Sequence, residues 1–330
     1  MTVTIWDRVA EAPLYRELSQ AELAELAVGV EVRRFADGEA LMIQGGVSDG
    51  AFLIASGSVE VSARLPGGGE AGIARLGPGD LVGEMALLMR GGRRTATARA
   101  AGAVEALFTD RRYFEAELYR LRPASLKVLR QLGLIIAGRL RALRLRAREL
   151  VDAAPDDSLF RPWPRGEPWP PATFEVRPFL PILPPLRAFA ADQIDTLFRL
   201  ARVERAARGD TLVREGEPVD SPRLVVRGAL LLCQTHDAGL CQLDVLGPGR
   251  FAGVAPVLET AVSGAAIVAA EDSTVLAFDS DRFLGLWAGA DQMALRLLEA
   301  VNADLVLSLN TAGNHLTRLT AQARVRDFAA

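Results

Sequence analysis

Two cysteines and two histidines among 330 residues leave little with which to bind a metal or attack a substrate. Cys233, His236 and Cys241 do fall together in "CQTHDAGLC", where a turn at "DAG" would carry the cysteines across a hairpin. A closed zinc site takes four ligands and only three are at hand, so these residues read as small, half-buried groups flanking a turn. An excess of charge is also missing. The formal net charge of −3 gives no overall attraction to nucleic acid or to an anionic membrane. No apolar run reaches the ~18 residues that a membrane span requires. The segment "MTVTIWDRVAEAPLYREL" lacks the apolar core and basic flank of a secretory signal, so a cytoplasmic location is expected. Nor does any nucleophile stand with a base; no metal, no cofactor and no enzymatic activity are expected.

What the sequence does contain is repetition. Half of the residues are hydrophobic and 24% are charged, the profile of a soluble globular chain of about two domains of ~150 residues. An internal repeat with an offset of about 171 residues lays 13–119 over 184–287. "FADGEALMIQGG" lies over "AARGDTLVREGE", "FLIASGSVEV" over "RLVVRGALLL", and "LGPGDLVGEMALL" over "LGPGRFAGVAPVL". Glycines recur in pairs: Gly38 and Gly209, Gly45 and Gly216, Gly57 and Gly228, Gly77 and Gly247, Gly79 and Gly249, Gly83 and Gly253. Matched glycines within alternating apolar strands punctuate a small antiparallel barrel or sandwich. The fold class expected is mainly β with α: two tandem antiparallel β-rolls, jelly-roll-like, each followed by a long helix. The domains expected are 1–151, a proline-rich linker at 152–183, and 184–330.

The linker "APDDSLFRPWPRGEPWPPATFEVRPFLPILPP" reads as an extended connector, since proline fixes φ and withholds a donor. Trp163 and Trp169 in it are suited to dock on the chain's own domains or on a partner. Two heptad seams follow the two copies. In 126–150 the a positions are Leu126, Gly133, Leu140 and Ala147 and the d positions Leu129, Ile136, Leu143 and Leu150. In 295–319, Leu295, Asn302, Leu309 and Leu316 alternate with Leu298, Leu305, Ala312 and Leu319. Such seams predict either a homodimer or pairing of the two helices within one chain. The basic run "RLRALRLRAREL", with Arg139, Arg141, Arg144, Arg146 and Arg148, falls between the a and d positions and reads as a solvated face, so DNA is not an expected partner.

The segment "IARLGPGDLVGEMALL" reads as a strand, a Gly-Pro-Gly turn and a helical turn starting near Gly83; "RRTATARA" then alternates as a strand. A helical turn opening on glycine offers free backbone N–H groups to an anion, and Arg94 brings a planar fork for phosphate oxygens. Glu84, ionised, can only accept hydrogen bonds, which suits a sugar hydroxyl; Thr95 adds a hydroxyl donor.

This segment resembles the phosphate-binding cassette of the cyclic nucleotide-binding domain, the β-roll shared by bacterial regulators of the catabolite activator type, protein kinase A regulatory subunits and cyclic-nucleotide-gated channels. The family pattern of Gly-Glu, two apolar residues, then Arg-Ser/Thr/Ala-Ala is met by Gly83, Glu84, Met85, Ala86 and Leu87, followed by Arg94, Thr95 and Ala96. The resemblance implies a cyclic nucleotide, cAMP or cGMP, as ligand, with Glu84 on the ribose 2′-hydroxyl and Arg94 on the cyclic phosphate. Backbone N–H groups near Gly83, Met85 and Thr95 would complete a cradle whose expected members are Gly83, Glu84, Met85, Ala86, Arg94, Thr95 and Ala96.

In the second copy Gly253 takes the place of Gly83, but Val254 replaces Glu84 and Gly264 replaces Arg94. A phosphate entering that cradle would meet no cation, so one nucleotide per chain is expected. The chain reads as a non-enzymatic cyclic-nucleotide sensor that passes its signal through the helix at 126–150 to an unidentified downstream protein. Two other readings are a transcription regulator of the catabolite activator kind and a scaffold using its β-rolls as interaction modules. The first is weakened because a linker and a second β-roll stand where a helix-turn-helix would be.

Overall fold

The computed structural model describes residues 5–64, 70–89, 92–153, 160–164, 174–236 and 239–329. The chain divides into two compact units, one of residues 1–135 with 290–295 and one of 136–289 with 296–330.

The first unit opens with α1 (Ile5–Val9) and α2 (Gln20–Ala27). The start of α2 is set by "SQAE": Ser19 Oγ accepts from the Glu22 N–H at 3.3 Å while Glu22 Oε2 accepts from the Ser19 N–H at 2.8 Å. Strands β1 (Val30–Phe35), β2 (Ala40–Met42), β3 (Gly50–Arg64), β4 (Glu70–Leu76) and β5 (Leu81–Val82) follow, then α3 (Met85–Leu88), β6 (Thr97–Asp110), α4 (Arg111–Tyr119) and α5 (Pro123–Ala153), of which residues from 136 onward belong to the second unit. All pairings are antiparallel, in the order β1-β6-β3-β4, with β2 on β6 and β5 on β3. The inner face packs Phe52, Ile54, Val59, Ala98, Ala106 and Phe108 into one core.

The second unit holds β7 (Phe160–Arg161), α6 (Ala191–Leu200), β8 (Ala201–Ala206), β9 (Thr211–Val213), β10 (Arg223–Arg227), β11 (Leu230–His236), β12 (Gly239–Leu246), β13 (Phe251–Ala252), α7 (Val254–Glu259), β14 (Ala266–Ala269), β15 (Ser273–Phe278), α8 (Ser280–Ala288) and, from residue 296, α9 (Gln292–Ala329). Its sheets run β13-β10-β15-β8 and β7-β12-β11-β14-β9. The repeat is therefore one of structure. In five of the six glycine pairs both members have positive φ, from 75° to 95°. Gly57 shows why: it lies where the β3–β6 register shifts, and a Cβ there would sit 2.3 Å from the Ala103 carbonyl oxygen. At the matching corner Gly228 separates β10 from β11, and its Cβ would lie 2.5 Å from the Asp272 carbonyl oxygen. Each copy then ends in an aspartate-capped helix, α4 by Asp110 and α8 by Asp279.

The proline-rich stretch departs from a plain extended connector. Phe160–Arg161 adds an edge strand to β12, and Arg177–Ile182 and Pro184–Leu186 form 3-10 turns that bury Leu180 and Leu186. Proline suits the first positions of such turns, where no N–H is needed. Trp163 Nε1 donates to the Gly209 carbonyl at 3.1 Å, which ties this stretch to its own domain. Trp169 and the turn residues Asp237 and Ala238 lie outside the described residues. Cys233 and Cys241 are buried free thiols on β11 and β12, and burial pushes Cys233 up to about 12.

The heptad seams take the intrachain course. Ala147, Val151 and Leu150 of α5 pack with Leu316 and Leu319 of α9, together with Cys241 and Phe160. Leu126, Leu129, Ile136 and Leu140 are buried in the single chain, as are Leu295, Leu298, Asn302 and Leu305. At these positions the stripe is covered by the chain's own residues, the intrachain alternative that the seams allowed.

Candidate functional site

The turn from β5 into α3 is built on Gly83. Its φ of +80° is open to glycine, and a Cβ there would fall 2.5 Å from Arg94 Nη1. Glu84 follows at the N-cap of α3 with αR geometry, 6% exposed. The Gly83 and Glu84 carbonyls accept from the Ala86 and Leu87 N–H groups, each at 3.0 Å, which closes the helical turn. Arg94 lies three residues before β6, in the loop and not in the strand that the alternation suggested. Two backbone bonds hold it there: the Arg94 N–H donates to the Gly46 carbonyl at 3.0 Å and the Gly45 N–H to the Arg94 carbonyl at 2.8 Å.

The Arg94 side chain, 4% exposed, runs back under the turn. Nη1 donates to the Gly50 carbonyl at 2.7 Å and to the Gly83 carbonyl at 3.3 Å, and Nη2 donates to Asp49 Oδ1 at 2.7 Å. Burial pulls the guanidinium below its ordinary range, while Asp49 and then Glu84 oppose that shift. The ion pair recorded for Arg94 is with Asp49, a residue the sequence reading passed over; only the loop before β3 brings it near. Thr95 is exposed, with Oγ1 3.8 Å from Met85 Sδ. Ala86 and Ala96 are buried, and Ala96 belongs to the β-roll core, so only their backbones are available to a ligand. Gly83, Glu84, Met85, Arg94 and Thr95 are thus gathered at one turn.

The cyclic nucleotide-binding domain matches residues 32–120 and again 203–289, together more than half of the chain. The chain belongs to that family. Among its relatives is a cAMP-dependent protein kinase regulatory subunit of Mycosarcoma maydis, 39% identical over 95 residues, 29% of this chain and 18% of that one. Another is a cyclic AMP receptor protein of Thermus thermophilus, 36% identical over 131 residues, 39% of this chain and 58% of that one. The matched segments thus span less than two thirds of either relative. Among solved structures, the regulatory domain of Toxoplasma gondii PKA with cAMP is similar over 85% of this chain and 90% of that one, at 17% identity and a TM-score of 0.33.

The second cyclic nucleotide-binding domain keeps the turn and loses its polar groups. Gly253 has φ +78° and caps α7, but Val254, Ala255, Val257 and Leu258 behind it are buried and apolar. A Cβ on Gly264 would meet nothing within 4 Å, so neither guanidinium nor substitute bulk reaches that spot from the strand side. The expectation that this cradle meets no cation needs correction. Arg144 of α5 lines the small cavity, about 30 Å³, beside Gly253 to Pro256. Burial pushes Arg144 down to about 10, and Asp244 and Asp304 oppose the fall. Heptad spacing concealed this residue by grouping it with a solvated face, and its neighbours are as varied as Arg146, well exposed, and Arg141, bonded to Glu259. Among the described residues no cluster of three or more His, Cys, Asp or Glu could hold a metal, and no helix is long and apolar enough to cross a membrane.

Proposed function

We propose that the chain is a non-enzymatic cyclic-nucleotide sensor whose first domain binds cAMP or cGMP in the cytoplasm. The observation that carries this reading is the meeting of Glu84 and Arg94 at the Gly83 turn of a domain matched by the cyclic nucleotide-binding family. Arg94 supplies the fork for the cyclic phosphate, Glu84 accepts from a ribose hydroxyl, and the backbone around Met85 and Thr95 completes the contact. Gly83 is required because any side chain there would occupy the space of the guanidinium. The bound state would be passed to a downstream protein through α5, which begins four residues after the end of α4. The kinase regulatory subunit and the cyclic AMP receptor among the relatives support a regulatory role.

A calorimetric and thermal-shift titration of the full chain against 3′,5′-cyclic AMP, cyclic GMP and the corresponding linear monophosphates tests it. Saturable micromolar binding of a cyclic nucleotide, with linear monophosphates much weaker, is the expected result. No binding of any cyclic nucleotide at millimolar concentration overturns it.

A further inference from the structure

The second domain carries charges that its sister lacks. On the repeat alignment Glu215 stands at the place of Gln44, Asp244 at that of Ala74 and Glu259 at that of Met89. Arg250 replaces Asp80. Far apart in sequence, the three carboxylates face one element, α5. Arg141 Nε donates to Glu259 Oε1 and Oε2 at 3.1 and 3.3 Å. Arg148 pairs with Glu215, whose other oxygen accepts from the Thr235 N–H and Oγ1 at 2.8 Å each. Between these two, the Arg144 carbonyl accepts from Gln234 Nε2 at 3.1 Å while its side chain borders Asp244 and Asp304.

Arg141, Arg144 and Arg148 are spaced i, i+3, i+7, one face of a helix. A solvated face would meet water, yet the Glu259 and Glu215 side chains that receive this one are only 15% and 16% exposed. Carboxylates buried to that degree need their partners. The cavity left beneath the cradle, about 30 Å³, holds a water or two, whereas ligand pockets run to several hundred Å³. Leu140 and Arg144 from α5 and Asp304 from α9 form its wall, and Arg250 locks that wall by pairing with Asp304 and Asp244.

We propose that the cradle of the second domain is a docking socket for α5, seated by Arg141, Arg144 and Arg148, and that this domain reads the position of that helix in place of a nucleotide. The trigger rests on the reading of the first domain as a sensor; the socket does not.

The test is amide hydrogen exchange on the full chain, with and without saturating cyclic AMP, together with a charge swap. In the ligand-free protein, Arg141→Glu should raise exchange in α7 and in β11 about tenfold, and Arg141→Glu with Glu259→Arg should bring it back. Arg141 is exposed enough for both variants to fold. Unaltered exchange in α7 and β11 in the Arg141→Glu protein overturns the socket, whatever the first domain binds. With cyclic AMP, the unmodified chain should show altered protection in α7 and β11, and Arg141→Glu should lose that response while calorimetry still finds the nucleotide bound. Binding without any change in α7 or β11 overturns the receiver role. Absence of heat would instead sink the sensor reading and leave the charge-swap result to decide the socket.

Discussion

Arg94 Nη2 donates to Asp49 Oδ1 at 2.7 Å, so the guanidinium proposed for the phosphate already has an anionic partner. Nη1 donates to the Gly50 and Gly83 carbonyls. A phosphate arriving at this turn therefore meets a cation fixed in place on two sides, which lowers the entropic cost of binding. Arg94→Ala should weaken cyclic-nucleotide binding by ~2–5 kcal/mol, since the phosphate would be desolvated without a counter-charge. Arg94→Lys should recover only part of this, because an ammonium cannot reproduce the fork. Glu84→Ala should cost ~1.5–3 kcal/mol, the worth of one charge-assisted bond. Calorimetry reads all three; unchanged affinity in both alanine variants would remove the site from consideration.

Gly83→Ala is a sharper probe of the same geometry. The added methyl would meet Arg94 Nη1 at 2.5 Å in a backbone with φ +80°. The strain of a non-glycine residue there is about 1–2 kcal/mol, and the guanidinium must also move. Affinity should fall more than tenfold while the melting temperature drops by only a few degrees. Affinity equal to that of the unmodified chain would show that Arg94 is not held where the phosphate needs it.

Stoichiometry separates the two copies. One cyclic nucleotide should bind per chain, and Arg94→Ala in the full chain should leave no second saturable phase, because the apolar Val254 and Ala255 turn lacks a carboxylate and its small cavity is walled by Leu140, Arg144 and Asp304. Micromolar binding is worth only about −8 kcal/mol, so a deficit of several kcal/mol takes the second site into the millimolar range. Two equivalents of similar affinity would contradict this.

The fold and the pattern of the candidate first site are legible in the sequence for a physical reason: both depend on local backbone demands. Five glycine pairs at positive φ had to be glycine in both copies, so the repeat stood out even where side chains diverged. Gly83, Glu84 and Arg94 are close in sequence and their spacing carries the turn. Asp49 and Arg144 were not legible, because each finds its place through strands and helices remote in the chain. Arg144 has a heptad position that looks solvated, and only the fold brings Asp244 and Asp304 beside its side chain and Gln234 onto its carbonyl. The helix seams illustrate the same limit, since period alone does not say whether the covering surface belongs to the same chain.

Ala147 is 2% exposed and packs with Val151, Leu316 and Leu319 in one chain. Ala147→Glu would bury a carboxylate with no partner among those apolar neighbours and should destabilise the protein by about 3 kcal/mol or more. The effect should be independent of protein concentration, because the contact is intrachain. A melting temperature that rises with protein concentration in the unmodified chain, and loses that dependence in Ala147→Glu, would show the seam to be an interface between copies after all.

Asp304, at the wall of the second cradle, is 7% exposed. Burial raises its carboxyl to about 6 even though Arg250 and the Phe251 backbone favour the charged form, and Asp244 adds to the rise. For Arg250, burial pulls the other way, and its pairing with Asp304 and Asp244 more than offsets it. The ion pair is therefore favourable, but it does not repay Asp304 for lost hydration. The groups facing it are Arg250, Asp244 and Arg144, with Ser308 one turn along α9. A folded-state pKa above the unfolded value of 3.8 means that the folded protein holds the proton more tightly. The stability this contributes is full below about pH 4, falls as pH rises through about 6, and is gone near pH 7, a swing of about 2–3 kcal/mol. Urea unfolding of the unmodified chain and of Asp304→Asn between pH 4.5 and 7.5 isolates it from other carboxylates. The stability of the unmodified chain relative to the variant should decline as pH rises across that range. A relative stability that climbs with pH would mean that Asp304 is an ordinary ion-paired carboxylate with a lowered pKa, and that the wall of the second cradle is better hydrated than its burial implies.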